Sequence, residues 1–355
     1  MNIVGEESAA ARRDRGVTVW LVILCLGFQA ISFGGIGLFL PEIREDLDIS
    51  FTEAGSLSAA VTLVYALMQI PVGYWTDRFG PKRLFLVGMV GTNILTLAFG
   101  FVDTYWQALA NQAVSGLFRA LVFLPGLMLV ASWFPPDRRA TAMGLFMAGV
   151  FSSSFLLSIA GPFAVEEFGW RPLFVTLSAA GLVASFVYFR FAKERPRSAG
   201  QQQVSIVEAL KLFRYRIMWT VAAIQYVRLA VFTGILFWLP TLLVEEKGQS
   251  LQIAGLVLAL RWALTAPSNF VGGYISDRLR NPPLVIGVSL VMLAITTLLF
   301  VNVDDIALLI LVIAVNAVFV QLYLGPLFAV PVEILGPRTA GVASGFSNFF
   351  ANMGG

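Results

Sequence analysis

The sequence predicts an all-α membrane protein, and three observations carry that reading. Of 355 residues, 58% are apolar and 13% charged, with a mean hydropathy of +0.81. A soluble chain of this length carries about 25% charged residues. The apolar residues fall into runs of 20 or more, each long enough to cross about 30 Å of hydrocarbon as a helix. The charges are sided: 18 of the 24 Lys/Arg fall in loops on the side of the amino terminus. Strands of a membrane barrel would alternate apolar and polar over about 10 residues, and no such alternation occurs.

Ten spans follow, at roughly 17–40, 54–75, 84–102, 105–133, 140–165, 172–191, 217–244, 252–275, 284–302 and 306–330. The run from Val17 to Leu40 is too long for a signal-peptide core and lacks a small-residue cleavage site after it, so it is read as a retained span. Spans two to six are separated by short polar turns. After span six comes the longest polar segment, Ala192 to Arg216, a cytoplasmic linker whose stretch from Val204 to Phe213 is weakly amphipathic. Spans seven to ten follow, and an eleventh begins near Arg338 and is still running at Gly355.

Charge orients these spans. The basic loops include Arg78, Lys82 and Arg83, the pair Arg138/Arg139, seven residues between Arg190 and Arg216, Arg278 with Arg280, and Arg338. The opposite side holds only Arg44, Arg171 and Lys247, amid acidic groups such as Glu42, Glu45, Asp46 and Asp48. The positive-inside rule makes the amino terminus and the linker cytoplasmic. We expect a multi-pass protein of a bacterial inner (plasma) membrane, whose pI near 9.1 reflects loop sidedness rather than nucleic-acid binding. The expected partners are the lipid bilayer and a small anionic substrate, with a proton or sodium ion as the coupling partner. The chain is expected to act as a monomer.

The chain also repeats itself at an offset of 200 residues. Ala54-Gly55 recurs as Ala254-Gly255, Gly73-Tyr74 as Gly273-Tyr274, Asp77-Arg78 as Asp277-Arg278, and Arg138 with Ala140 as Arg338 with Ala340. Pro125-Gly126 and Gly325-Pro326 place a helix-weakening pair at one depth of spans four and ten. The repeat predicts two homologous six-span halves, 1–191 and 217–355, joined by the linker 192–216. By the same offset the second half is expected to be cut within helix 11, with helix 12 missing, and the repeat would run on to about position 391.

The turn after span two reads Gly73-Tyr74-Trp75-Thr76-Asp77-Arg78-Phe79-Gly80-Pro81-Lys82-Arg83, and its counterpart reads Gly273-Tyr274-Ile275-Ser276-Asp277-Arg278-Leu279-Arg280-Asn281. Gly80 suits a tight turn between antiparallel spans. This pattern resembles the signature loop of the major facilitator superfamily, with Arg280 standing where the second copy's glycine is expected. The resemblance implies the major facilitator fold of two pseudo-symmetric six-helix halves. It also implies a cytoplasmic gate built from Gly73, Asp77, Arg78, Gly80, Arg83, Asp277, Arg278, Arg138 and Arg338. In it Asp77 caps span eleven at Pro337-Arg338, and Asp277 caps span five at Pro136-Asp137. Trp133 to Ala140, and Glu333 to Pro337 through Asn352, are similar to the organic anion:cation symporter branch. Span one departs from that branch with Phe33-Gly34-Gly35, and span four with Gln112 and Arg119.

Three basic residues remain inside the spans: Arg119, Arg228 and Arg261. All 21 acidic residues map to loops or span ends, so no carboxylate shares their depth. An arginine at a helix centre costs about 2.5–3.5 kcal/mol on insertion scales, which points to a water-filled cavity and an anionic ligand. Helical spacing puts Gln112, Ser115 and Arg119 on one face of span four, Gln225 beside Arg228, and Arg261, Thr265 and Asn269 on one face of span eight. With Gln29, Tyr65 and Gln321, these are the candidate substrate-binding residues. The expected function is secondary active transport of a small anion, an organic carboxylate first, by alternating access. An inorganic anion carrier or anion exchanger is the alternative within transport, and a non-transporting membrane sensor the alternative outside it. With no histidine and one cysteine, Cys25, the sequence argues against an intramembrane enzyme, a zinc site and any cofactor.

The implied gate can be tested at its first acid. Asp77→Asn removes a charge worth about 0.3–1 kcal/mol at a helix amino terminus and biases the carrier away from its outward-open state. Labelling of engineered cysteines from the periplasmic side should fall in the variant. Unchanged labelling would reduce Asp77 to a loop residue.

Overall fold

The computed structural model describes residues 9–134, 139–194, 214–324, 326–327, 347 and 349–354. Its helices are α1 (Ala9–Leu38), α2 (Leu40–Leu47), α3 (Phe51–Phe79), α4 (Pro81–Phe99), α5 (Tyr105–Ser132), α6 (Arg139–Phe168), α7 (Trp170–Phe191), α8 (Arg216–Thr241), α9 (Leu251–Leu279), α10 (Pro282–Asn302) and α11 (Ile306–Leu322). All but the short α2 correspond, in order, to the ten expected spans. Among the described residues, nine helices are long and apolar enough to cross a bilayer, and Ile306–Leu322 is a shorter apolar helix. Helices satisfy their backbone groups internally, which is what hydrocarbon demands of any spanning segment.

One difference from expectation has a local cause. The stretch after span one is no loop, because α2 occupies it, with Leu40, Pro41 and Ile43 buried and Glu42 in its first turn. Three apolar contacts within one turn support a short helix that its charges alone do not suggest. In span ten, α11 ends at Leu322 with Tyr323 as its cap, and Leu324, Pro326 and Leu327 are helical beyond it, the Leu327 N–H donating to the Tyr323 carbonyl at 2.9 Å, while residues 328–330 lie outside the described residues.

The structure divides into two compact units. One comprises Met1–Gly35, Asp46–Leu157 and Ala164–Ser198, the other Ile36–Glu45, Ser158–Phe163 and Ala199–Gly355. In the first, α5 packs closely on α3 and α4. Gly116 permits this, because a Cβ there would stand 2.5 Å from the Val61 carbonyl oxygen. The core beneath includes Val72, Leu84, Ala120 and Leu121, with Tyr65 packed against it. In the second unit, Val221, Ile286, Leu293, Val320 and Tyr323 form the buried cluster, and Phe232 leans on it.

The 200-residue repeat is visible in the local geometry of each unit. Ser50 and Ser250 cap α3 and α9, accepting from the backbone N–H of Glu53 and of Ile253. Asp48 and Gly248 both take left-handed backbone just before those caps, at φ 49° and 63°. Arg78 donates to the Tyr74 hydroxyl at 3.4 Å, and Arg278 to Tyr274 at the same distance. Gly80 turns at φ 87°, while Arg280 holds left-handed backbone at φ 49°, ψ 32°. Both copies therefore end their helix on a positive φ, Gly80 at ψ 145° and Arg280 in the αL region, where a residue with a Cβ costs about 1–2 kcal/mol. Gly73 has open space around its missing Cβ, and Arg78 and Arg83 are exposed. Arg138, Arg338 and the side chains of Asp77 and Asp277, on which the expected gate depends, lie outside the described residues.

All three basic residues assigned to the outer side are paired. Arg44 meets Glu245 at 2.6 Å, Arg171 meets Asp46 at 2.8 Å and Asp103 at 3.5 Å, and Lys247 meets Asp304 at 2.7 Å. The hydrogen bond and charge of Lys247 hold the Asp304 carboxyl below the usual carboxylate range.

Glu42 behaves in the opposite sense. Burial, then repulsion from Glu45 and Glu245, hold its carboxyl above the usual range against an opposing backbone hydrogen bond. Its neighbour Arg44 is engaged with Glu245. The folded protein thus keeps the Glu42 proton to a higher pH than the unfolded chain does, so this residue's contribution weakens as pH rises past the ordinary glutamate value. Glu42→Gln should match or exceed the native thermal midpoint at pH 7, with the difference shrinking toward pH 4. A lower midpoint at pH 7 would mean that the ionised carboxylate stabilises the fold, the reverse of what its burial implies.

Candidate functional site

The three guanidiniums inside the spans are held within the two units, Arg119 in the first and Arg228 and Arg261 in the second. In the first unit, α5 lines up Gln112, Ser115 and Arg119, which are 2%, 1% and 6% exposed. Arg119 Nε donates to Ser115 Oγ at 3.1 Å, and its Nη2 to Gln112 Oε1 at 3.1 Å. Gln112 in turn donates to Asn111 Oδ1 at 3.2 Å. From α1, the Phe33 ring lies 5.4 Å from the guanidinium carbon, a geometry worth about 2 kcal/mol when desolvated. Gln29, also on α1, is 3% exposed and neither of its amide atoms has a protein partner.

In the second unit, Arg261 on α9 is 1% exposed. Its Nη1 donates to Asn316 Oδ1 on α11 at 3.2 Å, and Asn316 donates to Thr296 Oγ1 on α10 at 3.0 Å. The Phe232 ring of α8 covers the guanidinium at 5.4 Å and meets Trp262 edge-on. Arg261 Nε and Nη2 have no protein partner. Thr265 spends its hydroxyl on the Arg261 carbonyl at 2.8 Å, and Asn269, two turns from Arg261, is half-buried. On α8, the half-buried Arg228 donates through Nε to Gln225 Oε1 at 2.8 Å. Gln225 Nε2, Gln321 Oε1 and the Tyr323 hydroxyl are buried without protein partners.

These arrangements do one chemical thing in common. They hold a positive charge among apolar helices through neutral acceptors, which orient a guanidinium without cancelling it. Hydrogen bonds to a charged group contribute about 1.5–3 kcal/mol, less than full desolvation of the ion costs. An anion would supply the remainder. Among the described residues, no group of three or more His, Cys, Asp or Glu side chains gathers to hold a metal.

Spacing along single helices joins Arg119 to Gln112 and Ser115, and Arg228 to Gln225, and in the structure these residues do meet. Phe33, Phe232 and Thr296 escape such spacing, because each reaches its arginine or its partner from another helix. Thr296 sits on span nine, which carries no charge at mid-depth and so offers no signal in the sequence.

Comparison with known proteins identifies the family. The model of the Major Facilitator Superfamily matches residues 22–355. A D-galactonate transporter of Escherichia coli O6:H1 is 21% identical, over 98% of this chain and 88% of its own length. A hexuronate transporter of Bacillus subtilis is 27% identical, over 97% and 86%. A probable galactarate/D-glucarate transporter of Escherichia coli K12 is 23% identical, over 100% and 88%. Among solved structures, a bacterial homologue of the human lysosomal transporter Spinster, in an inward-facing and occupied conformation, superposes with a TM-score of 0.84 at 18% identity, covering 96% of this chain and 79% of that one. Signature loop, internal repeat, helix order and family match agree: the chain is a multi-pass membrane protein that belongs to the major facilitator superfamily.

Proposed function

We propose that the protein is a secondary carrier of a small organic carboxylate, with Arg119, Arg228 and Arg261 as the groups that receive its negative charge. One observation carries the reading: among the described residues, three guanidiniums inside the spans hydrogen-bond to amides and hydroxyls, with no carboxylate as partner. A carrier of cations would need the opposite charge at that depth. The relatives' names, which specify sugar acids, favour a polyhydroxylated carboxylate. Gln29, Gln112, Gln225, Gln321, Asn269 and Tyr65 are the polar groups proposed to meet its hydroxyls. The two signature loops are proposed to form the cytoplasmic gate, and the amino terminus to be cytoplasmic, from the loop charges.

Uptake of D-galactonate and D-glucuronate into proteoliposomes tests this. Replacing all three arginines with glutamine should lower uptake by more than about tenfold, the equivalent of losing one good charge-assisted contact. Preserved uptake by a well-folded triple variant would remove both the site and the anion reading.

A further inference from the structure

The three guanidiniums differ in which of their edges the protein has already used. A guanidinium offers its most directional carboxylate fork along the side that carries Nε–H and the adjacent Nη2–H, where two parallel donors match two oxygens. In Arg119 both donors of that fork are taken by its own helix, Nε by Ser115 and Nη2 by Gln112. In Arg228, Nε is taken by Gln225. Arg261 is the reverse case. Asn316 holds Nη1, the donor outside the fork, while Nε and Nη2 are both buried and unspent.

We propose that Arg261 is the residue that grips the substrate's carboxylate, side-on through Nε–H and Nη2–H, and that Arg119 acts as a fixed positive charge. This assignment rests on the carrier reading above and adds a division of labour to it. The support around Arg261 suits the task. Asn316 pins one corner of the plane, Thr296 holds Asn316 in turn, and Phe232 covers a face. The guanidinium is therefore oriented before any ligand arrives, which removes an ordering cost from binding. Two buried donors without acceptors carry a desolvation penalty that a bound carboxylate relieves. In Arg119 the corresponding donors are already satisfied.

Lysine keeps the charge and loses the fork, so it separates the two roles. The full chain and its Arg261→Lys and Arg119→Lys variants would be titrated calorimetrically with D-galactonate and D-glucuronate, after confirming monodispersity. Arg261→Lys should weaken binding on the order of tenfold or more, and Arg119→Lys by a few-fold at most. Equal losses, or a larger loss at Arg119, overturn the assignment. Should Arg261→Lys fail to fold, Asn316→Ala tests the same point: it frees Nη1 while leaving the arginine, and should weaken binding several-fold. Unchanged affinity in that variant also overturns the assignment. Failure of the native protein to bind either acid or to take it up sinks the carrier reading instead, and is told apart because no variant is involved.

Discussion

A buried positive charge that meets no carboxylate among the described residues is the constraint around which this structure is arranged. Arg261 is 1% exposed and Arg119 is 6% exposed, and each would cost several kcal/mol if left bare in a low-dielectric interior. The protein lowers that cost with neutral acceptors and aromatic faces. For Arg261 this draws in three further helices: α11 through Asn316, α10 through Thr296 and α8 through Phe232. The charge is stabilised enough to fold and left uncancelled enough to attract an anion.

The same residue type is treated differently outside the spans. Arg44 and Arg171 find carboxylates within 3 Å, and solvent-accessible pairs of that kind contribute only about 0–1 kcal/mol. Their acids can serve as partners because water shares the cost of both ions. At mid-depth a carboxylate partner would neutralise the guanidinium and close it to a substrate. On the proposed reading, the choice of amide over carboxylate as partner is the physical trace of function in this chain.

Much of this is legible in the sequence, for reasons that differ between elements. The spans are written as long apolar runs, and their repeat at 200 residues reappears as matched caps at Ser50 and Ser250 and matched left-handed residues at Asp48 and Gly248. Contacts along one helix are legible too, since 3.6 residues per turn places Gln112 and Ser115 beside Arg119. Contacts between helices are not. Nothing in spacing pairs Arg261 with Asn316 across 55 residues, or sets Phe232 over it. The helix α2 is hidden by its own charges, which read as a loop, whereas burial of Leu40, Pro41 and Ile43 is what holds it.

Recognition of the substrate's charge is the centre of the proposed mechanism. Counterflow in proteoliposomes examines it directly: vesicles holding the native protein are loaded with either D-galactonate or galactitol, its uncharged polyol analogue, and entry of labelled D-galactonate is followed. Internal D-galactonate should accelerate entry strongly, and galactitol not at all. Equal acceleration by the two would mean that the hydroxyls alone are read, and would contradict a site built around unpaired guanidiniums.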